Sequence, residues 1–60
     1  MGYQVQWAEP NAEWEDITDD QAVGWLSNNY RDPEAVIAEM KNTANPFEAR
    51  IMFGRIRWVG

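Results

Sequence analysis

The segment FEARIMFGRIRWVG, residues 47–60, alternates apolar and polar side chains with a period of two that changes phase once. Phe47, Ala49, Ile51 and Phe53 fall on odd positions, Ile56 and Trp58 on even ones, and the slip lies at Gly54. In an extended chain alternate residues share a face, so the slip needs a structural repair. A bulge at Gly54-Arg55 would insert one residue and restore the face. Alternatively, Gly54-Arg55 forms the two-residue loop of a hairpin, glycine in first place being the type II′ signature. Phe53 would then pair with Ile56, Ile51 with Trp58 and Met52 with Arg57. One unbroken strand would run to about 13 residues, beyond the usual 3–10, which favours the hairpin. Under either repair Arg50, Met52, Arg57 and Val59 share the face opposite the core and Gln4 and Gln6 join them, with Arg55 at the turn if the hairpin forms.

Upstream, YQVQWA (residues 3–8) places Tyr3, Val5 and Trp7 on one face and Gln4 and Gln6 on the other, a half-buried strand. Pro10-Asn11 is a turn sequence, after which AEWED (residues 12–16) can return as a short second strand with Trp14 on the side of Ala12. Thr18-Asp19-Asp20-Gln21 reads as a capping box opening a helix to about Tyr30, with Ala22, Val23, Leu26 and Tyr30 as its apolar stripe. Trp25 lies off that stripe and is expected to be exposed. Asp32 as N-cap and Pro33 at the first position start a second helix. Val36, Ile37, Met40 and Ala44 form its buried stripe, and Asn45-Pro46 stops it. The chain is therefore expected to be a single small α+β domain spanning residues 1–60. Its two layers are an antiparallel sheet of three to four strands, in the order β-β-α-α-β or β-β-α-α-β-β, and two helices on one face.

Sixty residues without cysteine must be held by a compact core, a partner or self-association. The lack of cysteine and histidine removes thiolate metal sites, disulfides and the commonest general base. No apolar run reaches the roughly 20 residues of a membrane span, and no signal-peptide pattern is present, so a soluble cytoplasmic protein with no membrane association is expected. Charge is unevenly placed. Residues 1–49 carry ten acids and two bases, a balance of −8, whereas residues 50–60 carry only Arg50, Arg55 and Arg57, a balance of +3. The net charge of −5 opposes binding to a phosphate backbone, so nucleic acid is disfavoured as a partner.

No catalytic motif is present: there is no phosphate-binding glycine loop, no nucleophile elbow and no Ser or Thr beside a base. A two-layer domain of this size is expected to lack room for a pocket of several hundred Å³, and no enzymatic activity, cofactor or metal is expected. The acidic run EWEDITDD contributes Glu13, Glu15, Asp16, Asp19 and Asp20. It is either a surface that mimics phosphate toward a basic protein or simply a solvated strand end and helix start. It lacks the spacing and glycine of a calcium loop.

Four tryptophans are the compositional anomaly. Large aromatics add burial to a small core, which accounts for Trp7 and Trp58 and extends to Trp14. Trp25, with Gly24 and Asn28 beside it, is the first candidate partner-binding surface, because exposed aromatics concentrate where proteins bind proteins. The second is the outer sheet face bearing Arg50, Met52 and Arg57, with Arg55 at the turn. These features point to a non-enzymatic protein-interaction module, an accessory or inhibitory protein of the kind small phage genomes encode, occluding a larger host protein of unknown identity. Two rivals stand beside it. One is a nucleic-acid binder using the arginine-bearing hairpin as a wing, although the second helix offers only Lys41 as a base. The other is a homodimeric structural module joined through an edge strand.

Overall fold

In the computed structural model, which describes residues 2–42, 44 and 47–60, the sheet alternation places Tyr3 and Val5 in the core from strand β1 (Tyr3–Trp7). The chain continues through β2 (Glu15–Ile17), helices α1 (Asp19–Asn29) and α2 (Pro33–Met40), and strands β3 (Ala49–Ile51) and β4 (Gly54–Trp58). The architecture is the α+β one expected, in the longer order β-β-α-α-β-β, with one four-stranded antiparallel sheet. Strand order is β2-β1-β4-β3, so the two ends of the chain pair at the centre, from Tyr3 opposite Trp58 to Trp7 opposite Gly54.

The hairpin repair is the one adopted, but its loop lies two residues earlier than the type II′ reading placed it. Ile51 pairs with Gly54, Arg50 with Arg55 and Ala49 with Ile56, leaving Met52 and Phe53 in the turn. Neither takes a positive φ, so the mirror-image turns are not used, and Gly54 takes the last position of an ordinary turn, where glycine is favoured. The cause is β1. A Cβ built on Gly54 would overlap the Gln6 carbonyl oxygen and stand 3.0 Å from Trp7 Cα, so only glycine fits where the two central strands meet. The displacement preserves the parity of both strands. Ala49 and Ile56 are buried and Ile51 and Trp58 half-buried, while Arg50, Arg55 and Arg57 share the other face. Phe53 changes role from expected core residue to turn, Met52 moves from the sheet face into the turn, and Phe47, expected on the core face, is exposed.

The Pro10-Asn11 turn forms, with Ala12 N–H donating to Glu9 O and Asn11 at φ 62°, the positive value that the third residue of a type II turn requires. The return strand starts later than AEWED, at Glu15, because the connection runs on to Trp14 before pairing resumes. Thr18 and Gln21 close the capping box at 3.1 and 3.0 Å, and Asp32 caps α2 through Ala35 N–H.

Two corrections concern the helix faces. On α1, Ala22 and Leu26 are buried, but Val23 is 41% exposed and Trp25 takes its place against the core. At about 100° per residue, the helix is rotated toward Trp25 because an indole buries far more area than a valine. On α2, Met40 is buried and Val36 and Ile37 half-buried. The helix ends at Met40, so Ala44 lies beyond it and is exposed. The expected stop at Asn45-Pro46 lies outside the described residues.

The open edge at β3 is partly closed. Ala8 N–H donates to Phe53 O and Val59 N–H to Gly2 O, which fixes the phase of the central ladder. The main-chain groups of Gly54 and Ile56 therefore turn toward β3, and those of Arg50 turn outward. Arg50 O accepts the Tyr30 hydroxyl at 2.7 Å, so an incoming strand would have to displace that bond.

The two internal glycines make opposite predictions. Gly54→Ala should lose about 1–3 kcal/mol, the usual cost of forcing atoms into a packed site. Gly24→Ala meets open space on a helix and should gain about 1 kcal/mol. Chemical denaturation of both variants checks the pair; a neutral Gly54→Ala would remove the close approach as the determinant of register.

Candidate docking surface

Arginines on the outer sheet face are held by glutamines of β1. Arg57 donates through Nε and Nη2 to Gln4 Oε1 at 3.0 and 2.7 Å, and Gln4 Nε2 donates to Asp16 Oδ1 at 2.9 Å. Arg55 donates through Nε and Nη2 to Gln6 Oε1, and Gln6 Nε2 donates to Ala12 O. Arginine only donates, while a carboxylate or carbonyl only accepts, so the orientation of each amide is chemically dictated. Arg55 Nη1 also bridges to Glu48 at 2.8 Å; both side chains are well exposed and the pair adds little stability. Trp14 belongs to this face and not to the core. Its ring lies 4.1 Å from the Arg57 guanidinium carbon and 5.4 Å from that of Arg55. Arg55 thus sits within a strand, not at the turn.

The turn itself is apolar. Met52 is 77% and Phe53 70% exposed at the hairpin tip, the most exposed large apolar side chains among the described residues. Beside them Trp7 and Trp25 meet edge to face at 5.1 Å, so Trp25 is half-buried and not the free side chain expected. Between these pairs lies a groove of about 360 Å³ walled by Trp7, Trp25, Ile51, Met52 and Phe53, with Asn28 and Asn29 at its rim. A broader depression of about 700 Å³ lies across the hairpin, between the Glu9–Ala12 turn and Arg50 and Arg55. Both are depressions open to solvent and not enclosed pockets.

Three residues expected in two separate patches converge here: Trp25 and Asn28 from α1, and Met52 from the final segment. Gly24 adjoins them but faces open space. Arg50, Arg55 and Arg57 stay together on the sheet face, on the far side of the hairpin. Val59 lies past the end of β4, its N–H held by Gly2 O. Phe53 and Trp7 were missed as surface residues because parity assigned both to the core. The local cue for the turn that exposes Phe53 is Gly54 itself, since glycine is favoured at the last position of a type I turn. Glu13, Glu15, Asp16, Asp19 and Asp20 are all exposed, and Asp19 and Asp20 sit in the first turn of α1. Among the described residues no three acids converge as metal ligands. None of the described helices is long and apolar enough to cross a membrane.

Stability should separate wall from tip. Trp25→Ala removes half-buried area and the contact with Trp7, and should cost on the order of 2 kcal/mol, about half the loss from deleting a fully buried aromatic. Phe53→Ser should change stability by less than about 0.5 kcal/mol, as at other exposed positions. Thermal unfolding followed by circular dichroism measures both, and equal losses would mean that Phe53 packs in the core.

Comparison of the chain with family models, with curated protein sequences and with solved structures returned no match, and the reading of these surfaces rests on their geometry and chemistry.

Proposed function

We propose that this chain is a non-enzymatic protein-interaction module, an accessory or inhibitory protein of the phage type that docks in the cytoplasm on a larger, more basic host protein and occludes it. The observation that carries this reading is the exposed Met52-Phe53 tip beside the Trp7–Trp25 groove. Solvent-facing Met and Phe at the tip of a rigid hairpin gain nothing for the fold, whereas large apolar side chains next to a groove are the usual anchors of a protein contact. The two-residue loop and the β1–β4 ladder hold the tip in place, which limits the entropy lost on docking. A net charge of −5 adds long-range attraction toward a basic target. The phage assignment rests on small size, acidity and the lack of a catalytic motif.

The alternative of a nucleic-acid wing draws less support, because the tip carries Met52 and Phe53 while Arg55 and Arg57 are engaged with Gln6 and Gln4. The test is affinity capture from a lysate of the native host with the wild-type chain and the Met52→Ser/Phe53→Ser double variant. A bound protein should be lost with the double variant at unchanged melting temperature. Retention of the same protein by that variant would sink the tip as the docking element.

A further inference from the structure

Resting on that docking reading, we propose that the Trp7–Trp25 groove receives a cationic apolar segment of another protein. Such a segment inserts an aliphatic or aromatic side chain beside Trp25 and sets lysines or arginines against the helix layer. The groove wall has no charged side chain, so the inserted group is apolar. Its volume of about 360 Å³ is near the lower end of the range for small-molecule pockets, roughly 300–1,000 Å³, and suits one or two anchor side chains.

The helix layer, which walls the groove through α1, selects the flanks by its overall charge. Residues 19–40 hold Asp19, Asp20, Asp32, Glu34 and Glu39 against Arg31 alone, a balance of −4 out of the chain's −5. Helix α1 ends beside the groove at Asn28 and Asn29 with no basic residue in its last turn, the first base being Arg31, one residue past the Tyr30 cap. The strand arginines that could repel a cation lie on the opposite sheet face, two of them bound to Gln4, Gln6 and Glu48. A second copy docking through its own groove would bring the same acidic helix layer to the contact, and an anionic membrane or nucleic acid would meet the same repulsion.

The test uses three synthetic amphipathic peptides of roughly 12 residues, enough for three helical turns, that share one apolar pattern. Their polar positions are all lysine, all glutamine or all glutamate. Each is titrated into isotope-labelled protein while the four tryptophan indole N–H resonances are followed by NMR. The lysine peptide should shift the Trp7 and Trp25 signals and leave Trp58 in place. It should bind at least about tenfold tighter than the glutamine peptide, and lose most of that advantage between about 0.05 and about 0.5 M salt, as the Debye length falls from about 14 to about 4 Å. Phe53→Ser should weaken it strongly. Equal binding of the lysine and glutamine peptides, shifts confined to Trp14 or Trp58, or no binding by any peptide would overturn the proposal. So would a concentration-dependent dimer in sedimentation that Phe53→Ser dissolves, since the groove would then hold a second copy. If Phe53-dependent capture from lysate persists while the peptides show no preference for lysine, the docking reading survives and the cationic occupant does not.

Discussion

Gly54 meets Trp7 where the first and last strands pair, with no space for a side chain, and the rest of the molecule is arranged around that approach. It joins segments almost fifty residues apart, so the chain between them is closed into one loop at an entropic cost that grows only slowly with length. Once Gly54 is opposite Trp7, Ile56 falls opposite Val5 and both are fully buried. The same contact holds Gly54 inside a strand and pushes the turn back to Met52 and Phe53. One missing Cβ thus sets the sheet register, the core and the identity of the exposed tip.

The core that results is small: Tyr3, Val5, Ala22, Leu26, Met40, Ala49 and Ile56 are its buried residues. Aromatic pairing extends it. Trp7 meets Trp25, Trp58 meets Tyr3 at 5.0 Å, and the Lys41 ammonium lies 4.5 Å over the Trp58 ring. Trp14 is matched with two arginines on the other face. Each of the four tryptophans therefore has a specific partner. In a chain with no disulfide, such contacts add to the burial each ring provides. The tryptophan excess is mainly structural, and what it leaves over for function is the solvent-facing side of Trp7 and Trp25.

What the sequence made legible was local. The capping box at Thr18, the Asp32-Pro33 start, the Pro10-Asn11 turn and the alternation of Tyr3–Trp7 depend on neighbours within a few residues, and all formed. The arginine face was legible because strand parity survives any displacement by an even number of residues. The position of the turn was not, since it depends on how close β4 comes to β1. The rotation of α1 was hidden for the same reason: Trp25 is drawn inward by Trp7, which is distant in sequence. Trp14 was misread because its stabilising partners, Arg55 and Arg57, lie some forty residues away. The exposed tip is the joint product of these non-local effects, so of its two residues Met52 was recognised as a surface residue and Phe53 was not.

The two faces of the hairpin consequently differ in what a partner would have to overcome. On the outer face, each contact with Arg55 or Arg57 competes with hydrogen bonds already made to Gln6 and Gln4, so a ligand there must replace formed bonds to gain its own. At the tip and groove nothing need be broken: water leaves Met52, Phe53 and the exposed side of Trp25, and the gain from apolar burial is retained. A charged rim usually governs the rate and selectivity of docking, and a desolvated apolar centre governs its strength. In the docking proposed above, the acidic helix layer would supply the first and the displaced turn the second. The apolar tip follows from the close approach at Gly54, because a loop at Gly54-Arg55 would have put an arginine at the tip and Phe53 in the core.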